Sequence, residues 1–275
     1  MKEKEKMDEL QLNSGYRMPR LGLGTWALRG KRAEDSVYEA IQAGYRLIDT
    51  AACYRNEDSV GKGIRRAIED GIASRDEIFV TSKLLPRQVT VPEQAIEDSL
   101  SALSVGYIDL MLVHQPGENE AEIYHAMERA AVGGKIRSLG ISNFDTVEEY
   151  MRIKRESRTP PAVVQNENHP FHQNAALKEY VSQYGTVVES WAPFGGRGQT
   201  QRILENNVIR GIAEAHGRTA AQIVLRWHLQ AGYIVIPGSG SPEHIRENYA
   251  IADFELTDDQ MRRISGLNRQ EDHPE

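Results

Sequence analysis

The chain of 275 residues is 40 % hydrophobic and 27 % charged, enough apolar material for a sizeable core and unlike the composition of a disordered chain. A formal charge of −7 argues against a phosphate-backbone binder, so no nucleic-acid partner is expected. One cysteine, Cys53, excludes an intrachain disulfide framework and a multi-cysteine zinc site, and no apolar run approaches the length of a membrane span.

In chain order, residues 1–8 of "MKEKEKMDE" lack the apolar core of a signal peptide and read as a solvated tail on a cytoplasmic protein. From 9 to 275 there is no linker and no repeat, so a single domain is expected. "LQLNSGYRMP" holds a turn-like Asn-Ser-Gly between short runs, a hairpin expected to plug the bottom of the domain. Eight β-rich runs come next: "RLGLG" near 20, "YRLID" near 45, "IFVTS" near 78, "IDLMLVH" near 108, "IRSLGIS" near 136, "AVVQNE" near 162, "TVVESW" near 186 and "YIVIPGS" near 233. They start about 24 to 33 residues apart except for a last gap of about 47, which must hold extra helix.

The segments between have helical spacing. Val60, Ile64, Ala67 and Ile68 run to Gly71, Ile96, Leu100 and Leu103 repeat the pattern, and Leu177, Val181 and Tyr184 run to Gly185. Thr90 and Glu93 around Pro92 have the spacing of a capping box. Strand and helix thus alternate eight times in unbroken β-branched runs, which predicts an α/β fold closed as a (β/α)8 TIM barrel, with an open doubly wound sheet as the alternative.

In such a barrel the chemistry gathers where the strands end. Asp49, Lys83 and His114 each close a predicted strand, and Tyr54 lies on the loop after Asp49. Each has an ordinary structural reading: a strand-end lysine extends to solvent, an aspartate caps a helix, a histidine is satisfied in place. Together they form a proton-donating device. A lysine ammonium near a tyrosine lowers the phenol's pKa from about 10, and a buried aspartate keeps that ammonium charged. Tyr54 is then a general acid, Lys83 its tuner, Asp49 the counter-ion and His114 a hydrogen-bond donor that orients a carbonyl oxygen. The set has no activated nucleophile, so something else must attack carbon.

"LGLGTW", "IDTAACYRNE", "TSKL", "LVHQP", "GISNF", "VQNENHP", "ESWAPFG", "TAAQIVLRWHLQ", "IPGS" and "REN", in that order and spacing, resemble the aldo-keto reductases across nearly the whole chain. The resemblance implies a (β/α)8 barrel that uses NADPH or NADH without a Rossmann domain, to reduce a small-molecule carbonyl to an alcohol. It implies the tetrad Asp49, Tyr54, Lys83 and His114, a carboxamide held by Ser142, Asn143 and Gln165, and Trp191 stacked on the nicotinamide with Ala192, Pro193 and Phe194 after it. Gly24 and Thr25 would line the cofactor and Trp26 the substrate side with Tyr54 and His114. Trp191, where the family more often has Tyr, resembles the bacterial diketogluconate reductase branch. For Ser142 and Asn143 the alternative role is helix capping, which can coexist with cofactor binding, and for the two tryptophans it is core packing. No metal is expected, and a monomer is the family's commoner habit.

Several positions depart from the family. The short C-terminal segment implies an open pocket and broad specificity, Gln115 stands beside His114 where many relatives have Trp, and Cys53 reads as a small rim residue more than a redox handle. Relatives that prefer NADPH carry Lys after the "IP" and Arg six residues later to hold the 2′-phosphate; here these are Gly238 and His244. Ser239, His244 and the start of a helix capped by Ser241 remain for the phosphate, with Glu247 and Asn248 placed for the adenine, unless Arg246 or Arg197 substitutes. Dual cofactor use with a lean toward NADH follows. The alternative functions are a non-catalytic or redox-sensing barrel of the same family, against which the intact tetrad argues, and a glycosidase, for which Asp49 has Glu167 as its only obvious acidic companion.

Overall fold

The structure, a computed structural model, describes residues 8–269, so the tail expected at 1–8 lies almost wholly outside the described residues. Strands β1 (Glu9–Gln11) and β2 (Arg17–Pro19) pair antiparallel with Leu10 opposite Met18. Gly15 makes the turn between them at φ +90°, a conformation glycine adopts without strain. Leu12 and Met18 pack against Leu47, Phe79, Leu110 and Ile234, and Asn13 Nδ2 donates to the Pro161 carbonyl at 3.1 Å. The hairpin therefore closes the N-terminal end of the barrel, as its apolar pair requires.

Eight parallel strands succeed it in chain order: β3 (Leu23–Gly24), β4 (Leu47–Asp49), β5 (Phe79–Leu84), β6 (Ile108–Val113), β7 (Ile136–Ser142), β8 (Val163–Glu167), β9 (Val187–Trp191) and β10 (Ile234–Val235). Gly22 N–H donates to Val235 O at 2.9 Å and Gly24 N–H to Pro237 O at 3.1 Å, joining the last strand to the first. The approach is so close that a Cβ on Gly24 would stand 2.8 Å from Ile236 O. The helices are α1 (Gly30–Ala43), α2 (Glu57–Glu69), α3 (Pro92–Leu103), α4 (Glu120–Val132), α5 (Val147–Glu156), α6 (Ala175–Ser182), α7 (Gly196–Leu204), α8 (Asn207–His216), α9 (Ala220–Gln230), α10 (Pro242–Tyr249) and α11 (Asp258–Ser265). The long gap before β10 holds three of them, α7, α8 and α9. Among the described residues no helix is long and apolar enough to cross a membrane.

Strand alternation divides the core in two. Met111 and Val113 face the helices, while Leu110 and Leu112 point into the barrel with Leu47, Phe79 and Val163. One local expectation and one alternative reading fail. The cap of α3 is Val91, with no side-chain bond, because Glu93 is paired with Arg129 of the neighbouring α4 and Pro92 already sets the first turn. Ser142 and Asn143 cap nothing: Thr146 starts α5 in a capping box with Glu149.

Candidate active site

The inward phase of the strands decides which polar groups meet at the C-terminal mouth. Leu47 and Phe79 point inward, so Asp49 and Lys83, two and four residues on, do too; His114 follows Leu112 in the same way. Lys83 is wholly buried, and its Nζ donates to Asp49 Oδ1 at 2.6 Å, to Thr50 O at 2.9 Å and to Tyr54 Oη at 3.3 Å. Tyr54 reaches it from a single 3-10 turn, Ala52–Tyr54, which Arg55 ends in the left-handed region at φ +54°. The Tyr54 ring meets the His114 ring edge-on, centroids 5.6 Å apart, and Cys53 Sγ lies 3.3 Å from His114 Nδ1. The expected tetrad is thus one connected cluster.

Its electrostatics follow from burial. Desolvation opposes the Lys83 charge, but the Asp49 carboxylate more than offsets it, and the ammonium pKa ends above its ordinary value. Burial pushes the Tyr54 phenol up to about 12, with Lys83 pulling the other way. The lowered phenol pKa expected from the lysine alone is therefore overturned, because the ring loses more solvation than one ammonium returns. Burial, then the Lys83 and Arg87 cations, hold His114 down to about 3, so its imidazole is neutral. Burial raises the Cys53 thiol, which keeps its proton.

A cavity of about 840 Å³ opens over this cluster. Its walls include Gly24, Trp26, Asp49, Tyr54, His114, Ser142, Asn143, Gln165, Trp191, Ala192, Pro193, Phe194 and Ser239, and also Gln115 and Arg87. Asn143, at φ +60°, ties three loops together: Nδ2 donates to His114 O at 2.7 Å and Oδ1 accepts from Trp191 Nε1 at 3.0 Å. Trp26 is 57 % exposed at the rim, which excludes core packing for it. Thr25 does not line the cavity. It is fully buried, and its hydroxyl donates to Asp49 O at 2.9 Å. His244, Glu247 and Asn248 also lie off the cavity wall, with Glu247 accepting from Thr219 Oγ1 at 2.8 Å.

Two residues of the site went unassigned in the sequence. Buried Asn56 accepts from Thr50 Oγ1 at 2.7 Å and donates to Thr25 O and Leu28 O at 3.0 Å each, fixing the β3 and β4 loops to one another. Its place in "YRNE", two residues after the tyrosine, was the available signal. Glu189 is fully buried opposite Gln165, whose Nε2 donates to Glu189 Oε2 at 2.7 Å and to Asp49 Oδ2 at 2.8 Å. The acidic companion of Asp49 is therefore Glu189 and not Glu167, which faces His169 at 3.2 Å. One amide holds both carboxyls, which leaves no room between them for the glycoside that paired acids would cleave. The sign of Glu189 was its inward phase, between Val187 and Trp191 of the barrel interior.

The donor set fits a nicotinamide nucleotide. Polar side chains of Ser142, Asn143 and Gln165 gather beside the Trp191 indole at one wall, and the other end is a glycine-containing loop with a helix N-terminus behind it. A barrel of this topology with a Lys–Asp–Tyr cluster at its mouth defines an oxidoreductase class, and the comparisons agree. The family model described as "Aldo/keto reductase family" matches residues 20–269, and the chain belongs to that family. The glyoxal reductase of Bacillus subtilis is 40 % identical over 268 residues, covering 96 % of this chain and 94 % of its own length. The NAD(P)H-dependent D-xylose reductase I,II of Candida tropicalis is 36 % identical over 94 % of this chain and 92 % of its own. The aldo-keto reductase of Bombyx mori, solved in complex with NADP, superposes with a TM-score of 0.89 at 31 % identity, covering 99 % of this chain and 96 % of that one.

Proposed function

We propose that this aldo-keto reductase reduces small aldehydes and ketones to alcohols with a nicotinamide cofactor, and that Tyr54 donates the proton. The position of Lys83 Nζ, 2.6 Å from Asp49 and 3.3 Å from Tyr54 Oη, carries this reading. A phenol kept protonated through the neutral range is a ready donor, and the adjoining ammonium lowers the cost of the charge left when its proton goes. Asp49 keeps that ammonium in place. When bound, the reduced cofactor supplies the hydride that this donor set lacks. Ser142, Asn143 and the free Oε1 of Gln165 would hold its carboxamide, Trp191 through Phe194 would wall its ring, and Glu247 and Asn248 would serve its adenine. His114 orients the carbonyl oxygen. Cys53 Sγ lies 3.3 Å from Nδ1, and a thiol donating to that nitrogen would leave the imidazole proton on Nε2 to face the substrate.

Dual cofactor use with a lean toward NADH fits the absence of cationic side chains at Gly238 and His244. Arg246 is no substitute, since Glu39 holds it at 3.2 Å on another face, and the Arg197 side chain lies outside what the structure describes. Because the relatives are named for glyoxal and D-xylose, small carbonyl compounds are the first substrates to test. Purified protein should consume NADH and NADPH with methylglyoxal and 4-nitrobenzaldehyde. No consumption with either cofactor across a panel of aldehydes and ketones would return the protein to the redox-sensing or purely binding reading.

A further inference from the structure

Helix α1 opens with Gly30, Lys31 and Arg32, two cations in a first turn whose free N–H groups disfavour positive charge. Lys31 is neutralised by Glu34 and Asp35 at 2.7 and 2.8 Å. Arg32 has no hydrogen-bond or ion-pair partner among the described residues. Its guanidinium lies instead against the backbone of Gly240, where a Cβ would stand 2.7 Å from the guanidinium carbon. Any larger side chain would push the arginine away. Both residues line the cavity, and Gly240 lies within residues 238–244, the segment that the family pattern assigns to a phosphate.

Helix packing fixes this placement. The hydroxyl of Tyr45, just after α1, donates to Ile245 O of α10 at 3.2 Å, and the Tyr45 and Tyr249 rings meet at a tilt with centroids 5.0 Å apart. The two helices are held side by side, so Arg32 keeps its position relative to Ser239 and to the N-terminus of α10. The neighbouring arginine is engaged, because Arg29 Nη1 donates to Leu28 O at 2.8 Å. Arg87 also lines the cavity, but on the loop after β5, beside the catalytic cluster.

We propose that Arg32 binds the 2′-phosphate of NADPH, from helix α1, in place of the Lys and Arg that residues 238 and 244 do not supply. This rests on the nicotinamide reading above. A phosphate monoester carries nearly two negative charges at neutral pH, and the planar guanidinium offers it a two-pronged, charge-assisted contact. The cation at the positive end of α1 then has its anion. The protein keeps NADPH usable although its β10–α10 loop carries no Lys or Arg where the family grips the phosphate.

The test is binding, read by calorimetry or tryptophan quenching, with NADPH, NADH, adenosine 2′,5′-bisphosphate and 5′-AMP as probes. Arg32→Ala should weaken NADPH and the bisphosphate tenfold or more, about 1.4 kcal/mol, and NADH and 5′-AMP less than about threefold. Gly240→Ala, which displaces the guanidinium, should reproduce the pattern, and Arg32→Lys should fall between. Equal weakening of both dinucleotides would place Arg32 on the pyrophosphate and overturn the assignment, as would unchanged binding of all four probes. If wild-type protein binds neither dinucleotide, the oxidoreductase reading fails and takes this with it. If it binds both and Arg32→Ala does so equally well, this assignment fails alone.

Discussion

The two ends of the cavity are built differently. At the β4–β6 end every functional side chain is bonded to another: Lys83 to Asp49 and Tyr54, Asp49 to Gln165, His114 to Cys53. At the β10–α10 end the loop is Gly238-Ser239-Gly240-Ser241, and its internal side-chain bonds, between Ser239 and Ser241, measure 3.1 and 3.5 Å. A proton must leave a defined atom in a defined direction, so the chemical end is held by the strands themselves. A phosphate needs only enough positive charge nearby, and that can come from any neighbouring element. On the proposed function, this catalytic end should therefore break at single substitutions, while the proposed phosphate end should be adjustable.

The largest effect expected is from Tyr54→Phe. It removes the proposed proton donor and almost no volume, so carbonyl reduction should fall about 10²- to 10⁴-fold while cofactor binding persists. Retention of more than about a tenth of kcat/KM would remove Tyr54 from the role. Lys83→Met should lose comparable activity and, unlike Tyr54→Phe, also stability, because it leaves Asp49 buried and uncompensated at a cost of roughly 3 to 5 kcal/mol. A melt of Lys83→Met that matched wild type would mean that the pair is not the strong coupling its 2.6 Å contact implies.

This difference between the ends also explains what could be read from the sequence. Asp49, Lys83 and His114 were legible because each ends an apolar run, and the two-residue period of a strand carries its facing into the barrel. The hairpin, the eight strands, the extra helix before β10 and the Ser241 cap were legible for similarly local reasons. What failed depended on neighbours distant in sequence. Thr90 and Glu93 had capping-box spacing until Arg129 of the next helix took the carboxylate. Tyr54 was expected to feel chiefly Lys83, but a phenol also feels the solvent it loses, and that is set by the closed barrel. Glu189 sits in "VVESW" like the polar tip of a strand, and only its register opposite Gln165 puts it beside Asp49.

Glu189 tests whether the rigidity of the catalytic end carries a cost in stability. Burial, and then the nearby Asp49 charge, raise its pKa from 4.5 to about 8. Between these values the folded protein holds a proton that the unfolded chain has released. Stability therefore falls as pH rises through that window and levels off above it. Glu189→Gln keeps an acceptor for Gln165 and has nothing to titrate. Its Tm should be near wild type at pH 5 and higher by several degrees at pH 8.5, within a ceiling of a few kcal/mol. A Tm difference that does not change with pH would show that Glu189 does not exchange its proton in this range.

The smallest effect belongs to the other end. Gly238→Lys with His244→Arg adds two cations, one on the β10–α10 loop where position 238 pairs with Gly24 and one in the first turn of α10. A Cβ at 238 would stand 3.2 Å from Gly24 O, tight enough that the loop must shift by a few tenths of an ångström. Some of the gain is spent on that shift. Each charge-assisted bond to a phosphate contributes roughly 1.5 to 3 kcal/mol when fully formed, so a net shift toward NADPH of tenfold or more, about 1.4 kcal/mol, is expected. The ratio of kcat/KM for the two cofactors at low salt measures it. A wild-type preference for NADPH above about a hundredfold would mean that the phosphate is already fully held, and then the added pair should change little. Made in the Arg32→Ala background, the same pair should restore the NADPH binding that the single variant loses, because the phosphate end can draw its charge from either wall. The catalytic end has no such second source: no other lysine stands within reach of Tyr54 among the described residues, so no comparable rescue of Lys83→Met is expected from substitutions on the surrounding loops.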